Sequence, residues 1–303
     1  MTGFVIKTTG PDYTVRSTEG DFVCKIKGNF RIKGIKSTNP ITVGDVVDFD
    51  PSQGYITALH DRRNYIVRKP TNLSKQLHII AANVDLCLLV VTIKNPETAT
   101  TFIDRFLATS EAYHVPTTIV FNKTDLLTED ELEYLEALEY LYRNIGYNTI
   151  RTSALSGDGI EEIKQLLPGK FTLLSGNSGV GKSTILNKII PAANARTASI
   201  SESHHKGMHT TTFSEMYEID RDSYLIDTPG IKGFGMFDMD KDKISHFFPE
   251  IFKIGQECRF SNCTHTHEPG CAVLKALDEH YISQSRYKSY LSIREDATES
   301  KYR

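Results

Sequence analysis

The sequence predicts a multi-domain α/β protein. It has an N-terminal β-barrel of OB-fold type, a central parallel α/β unit, and a C-terminal, mainly helical segment around a metal cluster. Three observations carry this. Residues 1–70 hold short alternating runs divided by turn residues, residues 71–235 alternate apolar strands with helical stretches, and residues 236–303 contain three of the five cysteines. A chain of 303 residues accords with two or three domains.

Composition narrows the class. A hydrophobic fraction of 39% and a charged fraction of 24% are those of an ordinary globular protein. The net charge of −3, from 35 basic and 38 acidic residues, gives no global basic field, so any nucleic-acid contact must rest on local patches. The N-terminus MTGFVIKTTG lacks a charged region followed by an apolar core, and the apolar run LCLLVV at 86–91 is too short to span a bilayer. A cytoplasmic protein with no membrane partner is expected. Cys24 and Cys87 stand alone in strand-like runs and read as buried core thiols.

In the first segment FVIKTT, YTVRST, DFVCKIKG, FRIKG, DVVDFD and YITALH alternate apolar with polar side chains, separated by GPD, EGD, NP and SQG. Five or six short strands in so few residues suggest a small closed barrel, most economically an OB-fold. From Lys7 to Lys36 seven basic residues (Lys7, Arg16, Lys25, Lys27, Arg31, Lys33, Lys36) face three acidic ones, with Phe22 and Phe30 interleaved. Such a face suits phosphate contact and base stacking, and equally a solvated barrel surface.

The second segment runs VDLCLLVV, TFIDRFLATSEAYH, TTIVFNK, EDELEYLEALEYLYRNIG, NTIRTSA, GIEEIKQLL, KFTLLSG, KSTILNKII and SYLIDTPG. Strands alternating with helices predict a parallel sheet covered on both faces, with ligands at the carboxyl ends of the strands.

GNSGVGKST is a phosphate loop between such a strand and helix. Gly176, Asn177, Ser178, Gly179, Val180 and Gly181 form a tight turn whose N–H groups converge on phosphate, aided by the positive end of the following helix. Lys182 is expected on the β- and γ-phosphates, and the Ser183 hydroxyl, next to Thr184, on Mg²⁺. DTPG ends another strand. Asp227 is expected to hold the magnesium through water, and the Gly230 N–H to meet the γ-phosphate.

NKTD, residues 122–125, decides the base. The Asp125 carboxylate can accept from guanine N1–H and the exocyclic amine; adenine has no amine there and would leave it desolvated and unpaired. Asn122 braces the loop, the stem of Lys123 lies along the ring, and Thr124 completes the turn. Ser153 and Ala154 of TSA end the next strand, where GTP-binding proteins offer a backbone N–H to guanine O6. GTP and GDP are thus the expected ligands. The motif order, base reader before phosphate loop, is a cyclic shift of the usual one. A parallel sheet with neighbouring termini tolerates such a cut, with GIEEIKQLLPGK as the join. The central unit is therefore expected to be a circularly permuted P-loop GTPase domain.

In the third segment Cys258, Cys263 and Cys271, with His265 or His267, have spacings that fit a closed tetrahedral Zn²⁺ shell of one ion per chain, structural rather than catalytic. A 68-residue segment has little core of its own, so the metal should contribute to its folding.

Taken together, VGDVV in the barrel, the order NKTD–TSA–GNSGVGKST–GMHTTT–DTPG, and the C-x4-C-x-H-x5-C cluster ending in HEPGC resemble the ribosome small-subunit-dependent GTPase A family (RsgA type), circularly permuted GTPases of bacteria. The resemblance covers essentially the whole chain. It implies an OB-fold, a permuted G domain and a zinc domain. It also implies GTP hydrolysis stimulated by the small (30S) ribosomal subunit during late maturation of that subunit, with 16S rRNA as a partner of the monomeric protein. It favours His265 over His267 as ligand. Where Ras-like proteins place a water-orienting glutamine this chain has Ile231, and the resemblance points instead to His209 of GMHTTT, with His204 and His205 as rivals on the same loop. Among Thr210, Thr211 and Thr212, the last two are favoured as the second magnesium hydroxyl.

The chain passes from DTPG directly into the zinc segment. Motion on γ-phosphate loss is therefore expected to reorient that domain. Two other function classes are compatible with the motifs. One is a GTP-regulated RNA- or ribosome-binding switch with little hydrolysis; the other, a nucleic-acid-processing enzyme, lacks a second catalytic cluster.

Overall fold

A computed structural model describes residues 1–26, 40–68, 78–193, 215–227 and 240–299. The barrel comprises β1 (Thr2–Thr9), β2 (Asp12–Ser17), β3 (Gly20–Ile26), β4 (Val46–Asp50) and β5 (Tyr55–Leu59). β1 pairs with β2, β2 with β3, β3 in parallel with β5, β5 with β4, and β4 back with β1, which closes the sheet as an OB-fold does. The sequence alternation explains the closure. Val5, Tyr13, Val15, Cys24, Phe49 and Ile56 share one inner core while their neighbours face outward. FRIKG, read from sequence as a strand, lies outside the described residues. VGDVV is a structural turn: buried Asp45 accepts from the Thr42 N–H at 2.8 Å and from the Arg62 guanidinium twice at 2.6 Å. At Gly44, φ is +89° and a Cβ would meet the Ala82 carbonyl oxygen at 2.1 Å, so only glycine fits where the barrel touches the next element.

That element pairs β6 (Tyr65–Arg68) antiparallel with β7 (His78–Ala82). The central unit follows as β8 (Leu86–Val91), α1 (Thr100–Ala112), β9 (Thr117–Phe121), α2 (Glu129–Ile145), β10 (Asn148–Arg151), α3 (Ile160–Gln165), β11 (Phe171–Ser175), α4 (Lys182–Ile189), β12 (Glu215–Asp220) and β13 (Ser223–Asp227). The strand order is β10-β9-β8-β11-β13-β12, parallel except for β12. All six residues of β8 are buried, as befits a central strand covered on both faces. Ile103, Phe106 and Leu107 of α1 and Leu135, Leu138 and Tyr142 of α2 cover one face. Ile160 and Ile163 of α3 with Ile185, Leu186 and Ile189 of α4 cover the other. The helices change sides between β8 and β11, the place where open α/β sheets bind ligands.

The sheet continues past β12, which pairs antiparallel with β1 at Lys7↔Glu215, so barrel strands and central strands form one 11-stranded sheet. Phe4, Phe171 and Tyr224 pack at 5.1–5.5 Å between ring centroids across this junction. The junction also consumes charge counted in the basic patch. Lys7 pairs with Glu215 at 2.7 Å, Arg16 with Asp21 at 2.7 Å and Glu218 at 2.5 Å, and Lys25 lies 3.9 Å from Asp12. Phe22 packs on Phe49 with ring centroids 5.3 Å apart rather than standing free as a stacking platform. Lys27, Phe30, Arg31, Lys33 and Lys36 lie outside the described residues.

The C-terminal segment is helical: a 3-10 turn at Lys241–Phe247, then α5 (Pro249–Gly255), α6 (Ala272–Asp278) and α7 (Gln284–Glu299). Its core of Ile244, Phe248, Ile251, Val273, Leu277 and Tyr290 includes Ala108 of α1. Arg286 of α7 is fully buried between Glu250 of α5 and Asp104 of α1.

Candidate nucleotide site and metal centre

Residues Gly176–Gly181 link β11 to α4 at the carboxyl edge of the sheet. At Gly176 (φ +142°) a Cβ would sit 2.2 Å from the Val90 carbonyl oxygen, and at Gly181 (φ +103°) 2.2 Å from Asn122 Nδ2. Glycine is required at both because neighbouring strands and loops press on the turn. Val180 is buried, Ser178 and Gly179 are exposed, and Asn177, Lys182, Ser183 and Thr184 are partly exposed. The Lys182 ammonium donates to the Gly176 carbonyl at 2.8 Å and the Asn177 carbonyl at 2.7 Å. Burial pushes its pKa down, and the Asp227 carboxylate counters that.

NKTD follows β9. Asn122 is buried and donates from Nδ2 to the Val180 carbonyl at 2.8 Å, while its Oδ1 accepts from the Ala154 N–H at 3.0 Å. One side chain thereby ties the NKTD, GNSGVGKST and TSA loops together. In the TSA loop, expected to offer a backbone N–H to guanine O6, the Ala154 N–H donates to this brace and the Ser153 N–H donates to the Asp158 carbonyl at 3.1 Å. Lys123 has φ +64° and donates to the Gly179 carbonyl at 2.7 Å. Burial lowers its pKa, against the pull of Asp125. Thr124 bonds the Thr152 carbonyl through both its N–H and its hydroxyl at 3.2 Å. Asp125 lies exposed in the 3-10 turn Thr124–Leu126, just before the Thr128/Glu131 capping box that starts α2.

Sequence reasoning missed a contribution from the loop after β8. Its Asn95 carbonyl also accepts from the Lys123 ammonium, Lys94 pairs with Glu131, and a Cβ on Gly179 would touch Pro96 at 3.5 Å. A main-chain carbonyl leaves no residue signature, so nothing in the sequence could have revealed it. Asp227 ends β13 on the same edge as the phosphate loop, with Leu174↔Asp227 in register. His209, Thr211, Thr212 and Gly230 lie outside the described residues, as do His204, His205 and Thr210.

Cys258, Cys263, His265 and Cys271 come together with their ligand atoms all within 4.8 Å of one another. Cys258 Sγ lies 3.8 Å from Cys271 Sγ, and His265 Nδ1 lies 3.5 Å and 3.6 Å from these sulfurs. Zinc–sulfur bonds of about 2.3 Å and zinc–nitrogen bonds of about 2.0 Å at tetrahedral angles give edges of about 3.8 and 3.5 Å, so the donor set fits zinc and the ligating atom would be Nδ1. Burial also lowers the His265 pKa, favouring the neutral imidazole a metal takes. His267 is exposed and turned to the Thr266 hydroxyl at 2.8 Å, outside the cluster. The knuckle is held from behind. Tyr287 and Tyr290 donate to the His265 and Thr264 carbonyls at 2.7 Å. Glu268 accepts from the Thr264 and Thr266 N–H groups at 2.8 and 3.1 Å.

A doubly wound sheet whose strand ends carry NKTD, TSA and GNSGVGKST in rotated chain order has the arrangement of a circularly permuted GTPase. Comparison with known proteins makes this specific. The RsgA GTPase family matches residues 59–237, and the RsgA N-terminal domain matches residues 2–56. The chain is 58% identical to small ribosomal subunit biogenesis GTPase RsgA 2 of Bacteroides thetaiotaomicron and 54% identical to small ribosomal subunit biogenesis GTPase RsgA of Porphyromonas gingivalis, over 100% of this chain and 99% of each relative. The crystal structure of YjeQ from Thermotoga maritima superposes with a TM-score of 0.79 at 35% identity, covering 98% of both chains. YloQ, described as a circularly permuted GTPase, gives 0.73 at 27% identity, covering 99% of this chain and 95% of its own. The chain belongs to the RsgA GTPase family. Among the described residues no helix is long and apolar enough to cross a membrane.

Proposed function

We propose that this chain binds the small ribosomal subunit in the cytoplasm as a monomer and hydrolyses GTP to GDP and phosphate late in that subunit's maturation, as a checkpoint or release switch. The nucleotide half of this reading rests on one observation. Asn122 bonds both the Val180 carbonyl and the Ala154 N–H, so loops 58 and 32 residues away converge on one place. The ribosomal half is supported by full-length identity to relatives named as small ribosomal subunit biogenesis GTPases, with 16S rRNA as the surface contacted.

Asp125 selects guanine, with Asn122, Lys123 and Thr124 holding its loop and Ser153 and Ala154 lining the base pocket. Residues Gly176–Thr184 wrap the phosphates. Lys182 exchanges its two carbonyl partners for phosphate oxygens, its depressed pKa rising as it meets them. Magnesium, when bound with GTP, neutralises charge building on the phosphates; Ser183, Asp227 and Thr211 or Thr212 are its proposed holders, and Gly230 meets the γ-phosphate. His209, the histidine of GMHTTT to which the family resemblance points, orients the attacking water; Ile231 has no polar atom to do so. Cys258, Cys263, His265 and Cys271 hold a structural zinc.

Co-sedimentation tests the reading. The chain with a non-hydrolysable GTP analogue should pellet with purified small subunits and not with large ones, and GDP should weaken that binding. Equal binding to both subunits would refute it.

A further inference from the structure

Lys7, Glu215 and Asp227 form one transverse row across three strands. Lys7 of β1 is the register partner of Glu215 of β12, and Glu215 is the register partner of Asp227 of β13. Both pairings are antiparallel. Directly opposed residues in such pairs project from the same face, with Cβ atoms about 4.5–5.5 Å apart. The row therefore sets two carboxylates side by side, with a barrel lysine bound to the outer one at 2.7 Å. A third group reports the same proximity. The Tyr217 hydroxyl, on the same face, lies 3.5 Å from Glu215. Burial first, then the charges of Glu215 and Asp227, push its pKa up.

Like charges directly opposed across strands repel. Asp227 also faces Lys182, whose pKa it supports. Uncompensated, Glu215 would add a second negative charge beside the carboxylate proposed to hold magnesium. Lys7 offsets that charge and holds the Glu215 carboxylate toward the barrel.

We infer that Glu215 and Lys7 are positioning residues for the magnesium end of the nucleotide site, with the barrel lysine setting how much of the Glu215 charge that site feels. The inference rests on the reading of Asp227 as a magnesium contact. It gives the barrel a part in nucleotide chemistry through a residue more than 200 positions from Glu215.

The test is the magnesium concentration that half-saturates retention of a fluorescent guanine nucleotide by the full-length, zinc-loaded chain. One charge acting on a divalent cation about 10 Å away through water changes its affinity about fourfold. Lys7→Met should lower the half-saturating concentration about fourfold, Glu215→Gln should raise it about fourfold, and the double variant should return to the parent value. These shifts should shrink at molar salt. A merely structural ion pair would move both single variants in the same direction, because each removes the same contact. Shifts of the same sign, or none, would overturn the inference. Asp227→Asn serves as the separate check. If it leaves the magnesium requirement unchanged, the magnesium reading of Asp227 fails; if it raises that requirement while Lys7→Met and Glu215→Gln do not shift it, the inference alone fails.

Discussion

Arg286 and Asp104, 182 residues apart, form an ion pair at 3.0 Å with neither side chain accessible to solvent. The pair joins α7 of the C-terminal segment to α1 of the GTPase domain. Every charged edge is used. Arg286 bonds Glu250 at 2.7 and 3.1 Å and lies over the Phe248 ring at 4.6 Å, while Asp104 accepts from Tyr142 at 3.0 Å and Ser289 at 2.6 Å. Arg286→Met should destabilise the chain by about 3–5 kcal/mol, since it strands buried carboxylates. Denaturant unfolding of the zinc-loaded protein checks this, and a loss under 1 kcal/mol would mean the pair is not holding the junction.

The same anchor bears on how the C-terminal segment responds to nucleotide. A domain swung by the segment after DTPG would have to part Arg286 from Asp104, at a cost of the same order. The C-terminal segment and α1 should therefore move as one body. Hydrogen exchange in α1 and α7 should show equal protection with GDP and with a GTP analogue; selective loss in α7 would indicate that the junction opens.

Asp125→Asn should weaken GTP binding roughly a hundredfold and improve xanthine nucleotide binding, because an amide can donate to the extra carbonyl of xanthine. Competition binding measures both. Unchanged GTP affinity would remove Asp125 from the base pocket.

Elemental analysis should find about one zinc per chain. Cys263→Ser and His265→Ala should lower that content and the melting temperature, whereas His267→Ala should change neither. His267 sits against Thr266, outside the cluster. Zinc lost only in the His267 variant would reverse the ligand assignment.

The sequence was most legible where chemistry restricts residue type. Gly176 and Gly181 stand where the Val90 carbonyl and the Asn122 side chain exclude a Cβ, and the cysteine spacing brings four donor atoms within 4.8 Å, so these features announce themselves. The barrel and parallel strands were legible through alternation and continuous apolar runs. EMYEID was not, because β12 buries only Met216 fully and spends Glu215 and Glu218 on barrel cations. Without the barrel in view those residues read as a polar surface. YIVR of β6 was too short to register. Arg286 in QSRYKSY carries no local signal of burial, and its partners Asp104 and Glu250 come from distant segments that no local pattern connects. The basic stretch left two readings open in sequence, and pairing across strands, which sequence does not show, commits its Lys7 and Arg16 to acidic partners.

The central claim is that this GTPase is switched on by the small ribosomal subunit. The direct test is GTP turnover by the full-length, zinc-loaded chain with purified small subunits, with large subunits and with neither. Slow turnover alone, a rise of at least tenfold with small subunits only, and loss of that rise in His209→Ala with nucleotide affinity retained are expected, in line with the 10²–10⁴-fold (order of magnitude) typical of a positioned general base. Turnover that is unchanged by small subunits, or raised equally by large ones, would contradict the account.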